Sequence, residues 1–208
     1  MKRFLLVDDH SVVRSGVKIL LSGIFNSSET DEAGDGETAI NLLKQYSYDL
    51  IILDIQIPKT DSLGLMEYIR IKYPDTKVLI FSMSAENIYA KRFLKAGAKG
   101  FVSKDASIDE ISKAINQVLE DKIYISPALI ETLTDDLFAK QNDNPFDKLS
   151  RREFEIASLL LSGQTISNIS DSLNIQLSTV GTHKARLFEK LNVTNLLELK
   201  ELANTYNL

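Results

Sequence analysis

The chain has 208 residues and 23.3 kDa, is 44% hydrophobic and 25% charged, and carries a formal net charge of −5. That composition suits one large or two small globular domains and excludes a wholly disordered chain. With no Cys and only two His, His10 and His183, a disulfide scaffold, a Cys-ligated zinc site, thiol chemistry and a His-rich metal site are excluded.

The negative balance also argues against electrostatic capture of nucleic acid by the chain as a whole. No apolar run approaches the roughly 18 residues of a membrane span, and Phe4-Leu5-Leu6-Val7 is too short for a signal-peptide core. The expected compartment is the cytoplasm, with no membrane partner. The acidic excess lies entirely in residues 1–148, while residues 149–208 are neutral overall. The polar, turn-rich stretch 135–145 between two patterned regions reads as a linker, the alternative being a long surface loop. The predicted organisation is a domain at 1–125, a linker at 126–147 and a second domain at 148–208.

Residues 1–125 alternate short apolar runs with helical patterns. Phe4–Val7, Leu50–Leu53, Val78–Phe81 and Gly100–Val102 read as strands, and a weaker one lies near Glu29–Ala33. The runs are continuous, as in strands buried on both faces of a parallel sheet. Between them, Val12–Leu21, Glu37–Tyr46, Leu63–Tyr73, Asn87–Ala96 and Ile108–Glu120 space their apolar residues as helices do. Five strand–helix units predict an α/β doubly wound five-stranded parallel sheet with right-handed crossovers.

Such sheets act beyond the carboxyl ends of their strands, at the switch in strand order. Those ends offer Asp8 and Asp9, Asp54, Ser82 and Lys104. Three clustered carboxylates repel one another and call for a cation. Oxygen donors without Cys or His favour Mg²⁺, which pairs with phosphate. A carboxylate can serve as nucleophile and form an aspartyl-phosphate, whose charge a metal, a lysine and a hydroxyl can balance. Plainer roles stand beside these: Asp8 and Asp9 as helix caps, Asp54 as a turn residue before Pro58, Lys104 as a solvated lysine, Phe101 as ordinary core, and His10 as a surface or capping residue.

Val7-Asp8-Asp9-His10, Leu53-Asp54-Ile55-Gln56-Ile57-Pro58, Phe81-Ser82-Met83 and Lys99-Gly100-Phe101-Val102-Ser103-Lys104 together resemble a response-regulator receiver domain. The resemblance implies that Asp54 is the phosphoacceptor. It also implies that Asp9, with Asp8, Asp54 and the Gln56 carbonyl, holds Mg²⁺. Lys104 would pair with the phosphoryl group, Ser82 report its arrival, and Phe101 follow Ser82 as a switch. Lys59 and Asp61-Ser62 depart from the Gly and the Asp-Gly pair common at those places in the family.

The second region is helical throughout. Ser150 followed by Glu153 is a capping box ahead of the apolar face Phe154, Ile156, Ala157, Leu160 and Leu161. Thr165–Leu173, a turn at Asn174–Gln176 and Ser178–Leu191 form a helix-turn-helix, and Asn195–Tyr206 is a last helix. At about 100° per residue, Val180, Leu187 and Leu191 make the core stripe of the third helix. Thr182, Ala185, Arg186 and Glu189 lie opposite, Gly181 lies at the side, and Lys184 sits at the core edge. Small residues on the outward face let a helix enter a major groove, where Thr182 and Ala185 can meet thymine methyls and Arg186 phosphate or guanine. The alternative is a charged, solvated helix in a small bundle.

Leu149-Ser150-Arg151-Arg152-Glu153, Ile169-Ser170-Asp171-Ser172-Leu173 and Ser178-Thr179-Val180-Gly181-Thr182-His183-Lys184, continuing through Arg186 and Lys190-Leu191-Asn192, resemble the LuxR-type helix-turn-helix of the NarL/FixJ regulators. The run from Thr182 to Thr194 also resembles the BvgA/EvgA branch. The resemblance implies that Ser178, Thr179, Gly181, Thr182, His183, Lys184, Ala185, Arg186 and Lys190 face double-stranded DNA. It implies pairing through the last helix, for which Leu196, Leu199 and Ala203 share a stripe. The implied function is a non-enzymatic transcription factor phosphorylated by a sensor histidine kinase, acting as a homodimer on paired half-sites, with RNA polymerase as a further partner. Three other functions are weighed against it. An enzyme with an Asp nucleophile on another fold would place that residue after the first strand, in an Asp-x-Asp pattern. A small-molecule-sensing LuxR regulator would bring an aromatic-lined pocket. A regulator that binds only protein is kept open by Gly181.

Overall fold

The computed structural model describes residues 1–83, 86–127, 129–130 and 144–206, which fall into two compact units, Met1–Glu131 and Thr132–Leu208. The first is built in the order β1 (Lys2–Val7), α1 (Ser11–Ile24), β2 (Ser28–Ala33), α2 (Gly36–Gln45), β3 (Leu50–Leu53), α3 (Ser62–Lys72), β4 (Lys77–Ser82), α4 (Glu86–Ala96), β5 (Gly100–Ser103) and α5 (Ile108–Leu119). All strand pairs are parallel, in the order β2-β1-β3-β4-β5.

The continuous apolar runs are explained by burial on both sheet faces. Phe4, Leu6, Leu50, Ile52, Leu79 and Phe81 pack with Val17 and Leu21 of α1 and with Ile111, Ile115 and Val118 of α5. Their neighbours Leu5, Val7, Ile51, Leu53, Ile80 and Phe101 alternate to the other face and are equally buried, as are Leu43 of α2, Ile69 of α3 and Phe93 of α4. The edge strand β2 is polar, with only Ala33 buried, which is why its pattern is the weakest. Helix starts follow capping chemistry: Asp35 accepts from the Thr38 N–H, Asp61 from Gly64 and Ser107 from Glu110.

The second unit opens with a 3₁₀ turn, Pro145–Lys148, followed by α6 (Arg151–Leu161), α7 (Ile166–Ser172), α8 (Leu177–Leu191) and α9 (Leu196–Thr205). The expected capping box is present, Ser150 and Glu153 exchanging both bonds. The α7–α8 turn places Asn174 in the left-handed region (φ 49°), which Asn tolerates. The Ser170 hydroxyl closes the turn by donating to the Ile175 carbonyl.

Most of the expected linker, residues 131–143, lies outside the described residues. Ser126 and Leu129 are buried at the end of the first unit, and Phe146 is buried at the start of the second. Among the described residues, no helix is long and apolar enough to cross a membrane.

Lys59 occupies the left-handed region (φ 58°) in the loop after β3, where the receiver family often has glycine. A non-glycine residue there costs about 1–2 kcal/mol, and glycine returns about 0.4–1 kcal/mol through the freer unfolded chain. Lys59→Gly is therefore expected to stabilise the first unit by about 0.5–1 kcal/mol. The check is a higher urea midpoint at unchanged slope; an unchanged midpoint would mean that the loop holds no strain.

Candidate phosphoacceptor site and nucleic-acid interface

The strand order places β1 beside β3, with Val7 opposite Leu53 and the Asp54 N–H donating to the Val7 carbonyl at 2.8 Å. The residues that follow, Asp8 and Asp54, therefore leave the sheet side by side at its switch point. Both are buried, at 5% and 3% exposure. The Lys104 ammonium, just past β5, lies 2.6 Å from Asp8 Oδ2 and 2.7 Å from Asp54 Oδ2. Burial alone would lower the Lys104 pKa, but the hydrogen bonds and charges of Asp54 and Asp8 outweigh it and raise the pKa above the ordinary lysine value. The other Asp54 oxygen, Oδ1, accepts from Ser82 Oγ at 2.7 Å and from the Gln56 N–H at 3.2 Å. One carboxylate is thus held by a strand-end hydroxyl, a loop amide and an ammonium.

Asp9 is more exposed than Asp8. His10 Nδ1 lies 2.9 Å from Asp9 Oδ1 and 3.3 Å from Asp8 Oδ1, and the His10 N–H donates to Asp8 Oδ1 at 2.8 Å. One ligand atom each from Asp8, Asp9, His10 and Asp54 falls within 4.8 Å of the others. Three of these donors are hard oxygens, a set suited to a small divalent cation. Phe101 is fully buried on β5, beside Ile80 in the pairing of β5 with β4. The family departures each have a local bond: Asp61 caps α3, and the Ser62 hydroxyl donates to the Ile55 carbonyl at 2.9 Å.

Arg14 is a site-lining residue that motif reading missed. Its Nη1 donates to the Asp8 carbonyl at 2.6 Å and its Nε to Glu32 Oε2 at 3.0 Å. The signal was an arginine one helical turn beyond His10, on the half-buried side of α1.

In the second unit, α8 presents Ser178, Gly181, Thr182, Ala185 and Arg186 to solvent while Val180, Leu187 and Leu191 are buried. Thr179 is half-buried at the first turn of the helix. A Cβ at Gly181 would meet nothing within 4 Å, so the outward face is open there. Lys184 is half-buried, with Nζ 5.2 Å from the Phe188 ring centroid. His183 lies at the core edge. Its Nδ1 is buried without a hydrogen-bond partner, and desolvation, then the charges of Arg152 and Arg186, lower its pKa against an opposing pull from Glu153.

One expectation is overturned here, and another residue has a partner that the sequence did not show. Lys190 is exposed on α8 with its Nζ 2.6 Å from the buried Glu153 carboxylate, so part of its charge is engaged within the domain. Leu199 and Ala203 are buried in the core, so they offer no pairing surface, whereas Leu196 and Leu197 are exposed.

Residues 4–116 match the response regulator receiver domain family, and residues 147–203 match the bacterial regulatory proteins of the luxR family. Response regulator GacA of Pseudomonas aeruginosa is 34% identical over 204 residues, covering 98% of this chain and 95% of GacA. Response regulator UvrY of Escherichia coli is 31% identical over 209 residues, covering all of this chain and 96% of UvrY. The chain belongs to the NarL/FixJ response regulators. It is a phosphorylation-controlled transcription regulator with a LuxR-type DNA-binding domain. The fold is shared with RcsB from Salmonella enterica serovar Typhimurium bound to promoter rprA in the presence of phosphomimetic BeF3−, at a TM-score of 0.71 and 22% identity over 98% of each chain.

Glu153 generates a pH prediction. Burial would raise its pKa, but the Lys190 ammonium and the Ser150 N–H bring it down to about 2. A carboxyl depressed on folding adds stability above its unfolded value, near 4.5, and loses it as pH falls toward 2. The amount is about 2–3 kcal/mol. Circular dichroism melting of Glu153→Gln should show a flatter stability profile from pH 5 to pH 2 than the native chain. Parallel profiles would show that Glu153 carries no such linkage.

Proposed function

We propose that Asp54 is the phosphoacceptor of this regulator, with a sensor histidine kinase as donor. The observation that supports it best is the pair of contacts on its two oxygens, Lys104 at 2.7 Å on one and Ser82 at 2.7 Å on the other. Attack by an Asp54 oxygen forms a P–O bond to phosphorus as the donor's P–N bond to its histidine breaks, and the donor nitrogen keeps that electron pair. Asp9, Asp8, Asp54 and the backbone carbonyl of Gln56 are the residues that would hold Mg²⁺, which, when bound, neutralises charge on the phosphoryl oxygens. Lys104, already at Asp54, supplies the second positive charge. Ser82 then follows the phosphoryl oxygen instead of the carboxylate, and Phe101, deep in the same sheet edge, re-packs with it. The change reaches the surface formed by α4 and β5.

The output reading is sequence-directed binding by α8. Ser178, Thr179, Gly181, Thr182 and Ala185 form the small leading part of the helix, which suits entry into a major groove, and Arg186 supplies positive charge beside it. Lys184 and His183 flank that face. A homodimer, paired through the exposed start of α9 at Leu196 and Leu197, would set two α8 helices on paired half-sites. A cytoplasmic location and action on RNA polymerase accord with this role.

Asp54→Asn is expected to abolish acid-labile phosphate uptake from acetyl phosphate, because an amide is a poor nucleophile. Undiminished labelling would refute the assignment. In DNA-binding titrations, Arg186→Ala should lower the salt slope by about one. Thr182→Val should alter site preference, and Leu196→Glu should weaken binding to a paired site more than to a half-site. Equal salt slopes in native protein and Arg186→Ala would remove Arg186 from the phosphate contacts.

A further inference from the structure

We infer that Arg14 is a positioning residue for the divalent-cation site, acting through the backbone of Asp8; this rests on the metal site proposed above. The Asp8 N–H is fixed by the Ala33 carbonyl at 3.0 Å, as the last ladder bond between β1 and β2. Its carbonyl has left the sheet and accepts from Arg14 Nη1 at 2.6 Å. Asp8 is buried, so a carbonyl without that donor would lose a bond that solvent could not readily restore. The orientation of this carbonyl is the orientation of the Asp8–Asp9 peptide plane. It therefore fixes the direction in which the next residue, Asp9, leaves the loop.

Arg14 is anchored in turn. Its Nε donates to Glu32 Oε2 at 3.0 Å, and Lys18 Nζ holds the other oxygen of Glu32 at 3.1 Å. Hydrogen bonds from Lys18, then from Arg14, lower the Glu32 pKa, so Glu32 stays charged through the neutral range. The chain of contacts runs from β2 through α1 to the acidic loop. The two bonds come from different nitrogens of one rigid plane, Nη1 and Nε, a span that the single nitrogen of a lysine does not offer. Arg14 also lines a small cavity beneath the site together with Asp8, Val13, Val17 and Asp54.

Groups that orient metal ligands without touching the metal typically change affinity about 10–100-fold when removed. The test is Mg²⁺ titration of the full-length protein by calorimetry, without phosphodonor, beside the Mg²⁺ dependence of labelling by acetyl phosphate. Arg14→Ala should weaken Mg²⁺ binding about tenfold and raise the half-saturating Mg²⁺ equally, while labelling at saturating Mg²⁺ stays within about twofold. Arg14→Lys should rescue little, and Glu32→Gln, which leaves Arg14 in place but loosens its anchor, should give a smaller loss of the same kind. A folded Arg14→Ala with native Mg²⁺ affinity overturns the inference. If Arg14→Ala does not fold, native affinity in Glu32→Gln overturns it instead. Asp9→Ala separates the two levels: if it keeps native Mg²⁺ affinity, the metal-site reading itself falls, and this inference with it.

Discussion

Two buried carboxylates next to each other are untenable without a cation, and the receiver unit is organised around that constraint. Asp8 and Asp54 are adjacent because β1 pairs with β3, and both are buried just past the strand ends, against Lys104 and, for Asp54, Ser82. Their mutual repulsion in a medium of low polarity is balanced by Lys104, delivered from the other side of the sheet by the loop after β5. Such a balance is poised rather than saturated. A phosphoryl group on Asp54 would bring further negative charge to the same spot, and a divalent cation further positive charge. The site is stable in one charge state and receptive to another, which is the property a switch requires.

The DNA-binding unit meets the same constraint with a different result. Glu153 is a buried carboxylate satisfied by its own capping box and by Lys190, 37 residues further along. The buried Glu153 carboxylate is taken up by these bonds, and the pair ties the end of α8 to the start of α6. Lys190 stays exposed on α8 while its ammonium is held at the Glu153 carboxylate. The outward face carries small residues in its leading part and Arg186 beyond them, with Lys184 half-buried beside it.

The strand-end chemistry was legible in the sequence because four strands each contributed a polar residue at the same edge, and a parallel sheet leaves little choice about where those residues meet. Helix wheels were equally reliable for Val180, Leu187 and Leu191, since a three-four spacing reports one face of one helix. They failed where the answer lay in a second element. The spacing of Leu196, Leu199 and Ala203 is a real stripe, but spacing does not say whether a stripe faces inward or outward. In the fold Leu199 and Ala203 face inward, and the first turn of α9, after its Asn195 cap, carries Leu196 and Leu197 outside. Lys190 is likewise a surface cation whose partner, Glu153, lies on another helix, which no spacing within α8 reveals. Arg14 was invisible to motif reading because its partners are a backbone carbonyl and an acid on the edge strand, and neither leaves a mark at a fixed spacing.

The loop that follows Asp54 shows how a family departure can change side chains without changing shape. Lys59 adopts the left-handed conformation that glycine takes easily, so the turn is kept at a cost in strain. Thr60 is buried and accepts from the Gly36 N–H at 2.9 Å, fastening the loop to the start of α2. Asp61 caps α3, and the Ser62 hydroxyl reaches back to Ile55. With both ends of the loop fixed by such bonds, the backbone that carries Gln56 past Asp54 is held in place whichever residues are exposed between them. Lys59 itself is exposed. The departures lie in the loop, while the carboxylate of Asp54 is held by Lys104, Ser82 and the Gln56 N–H.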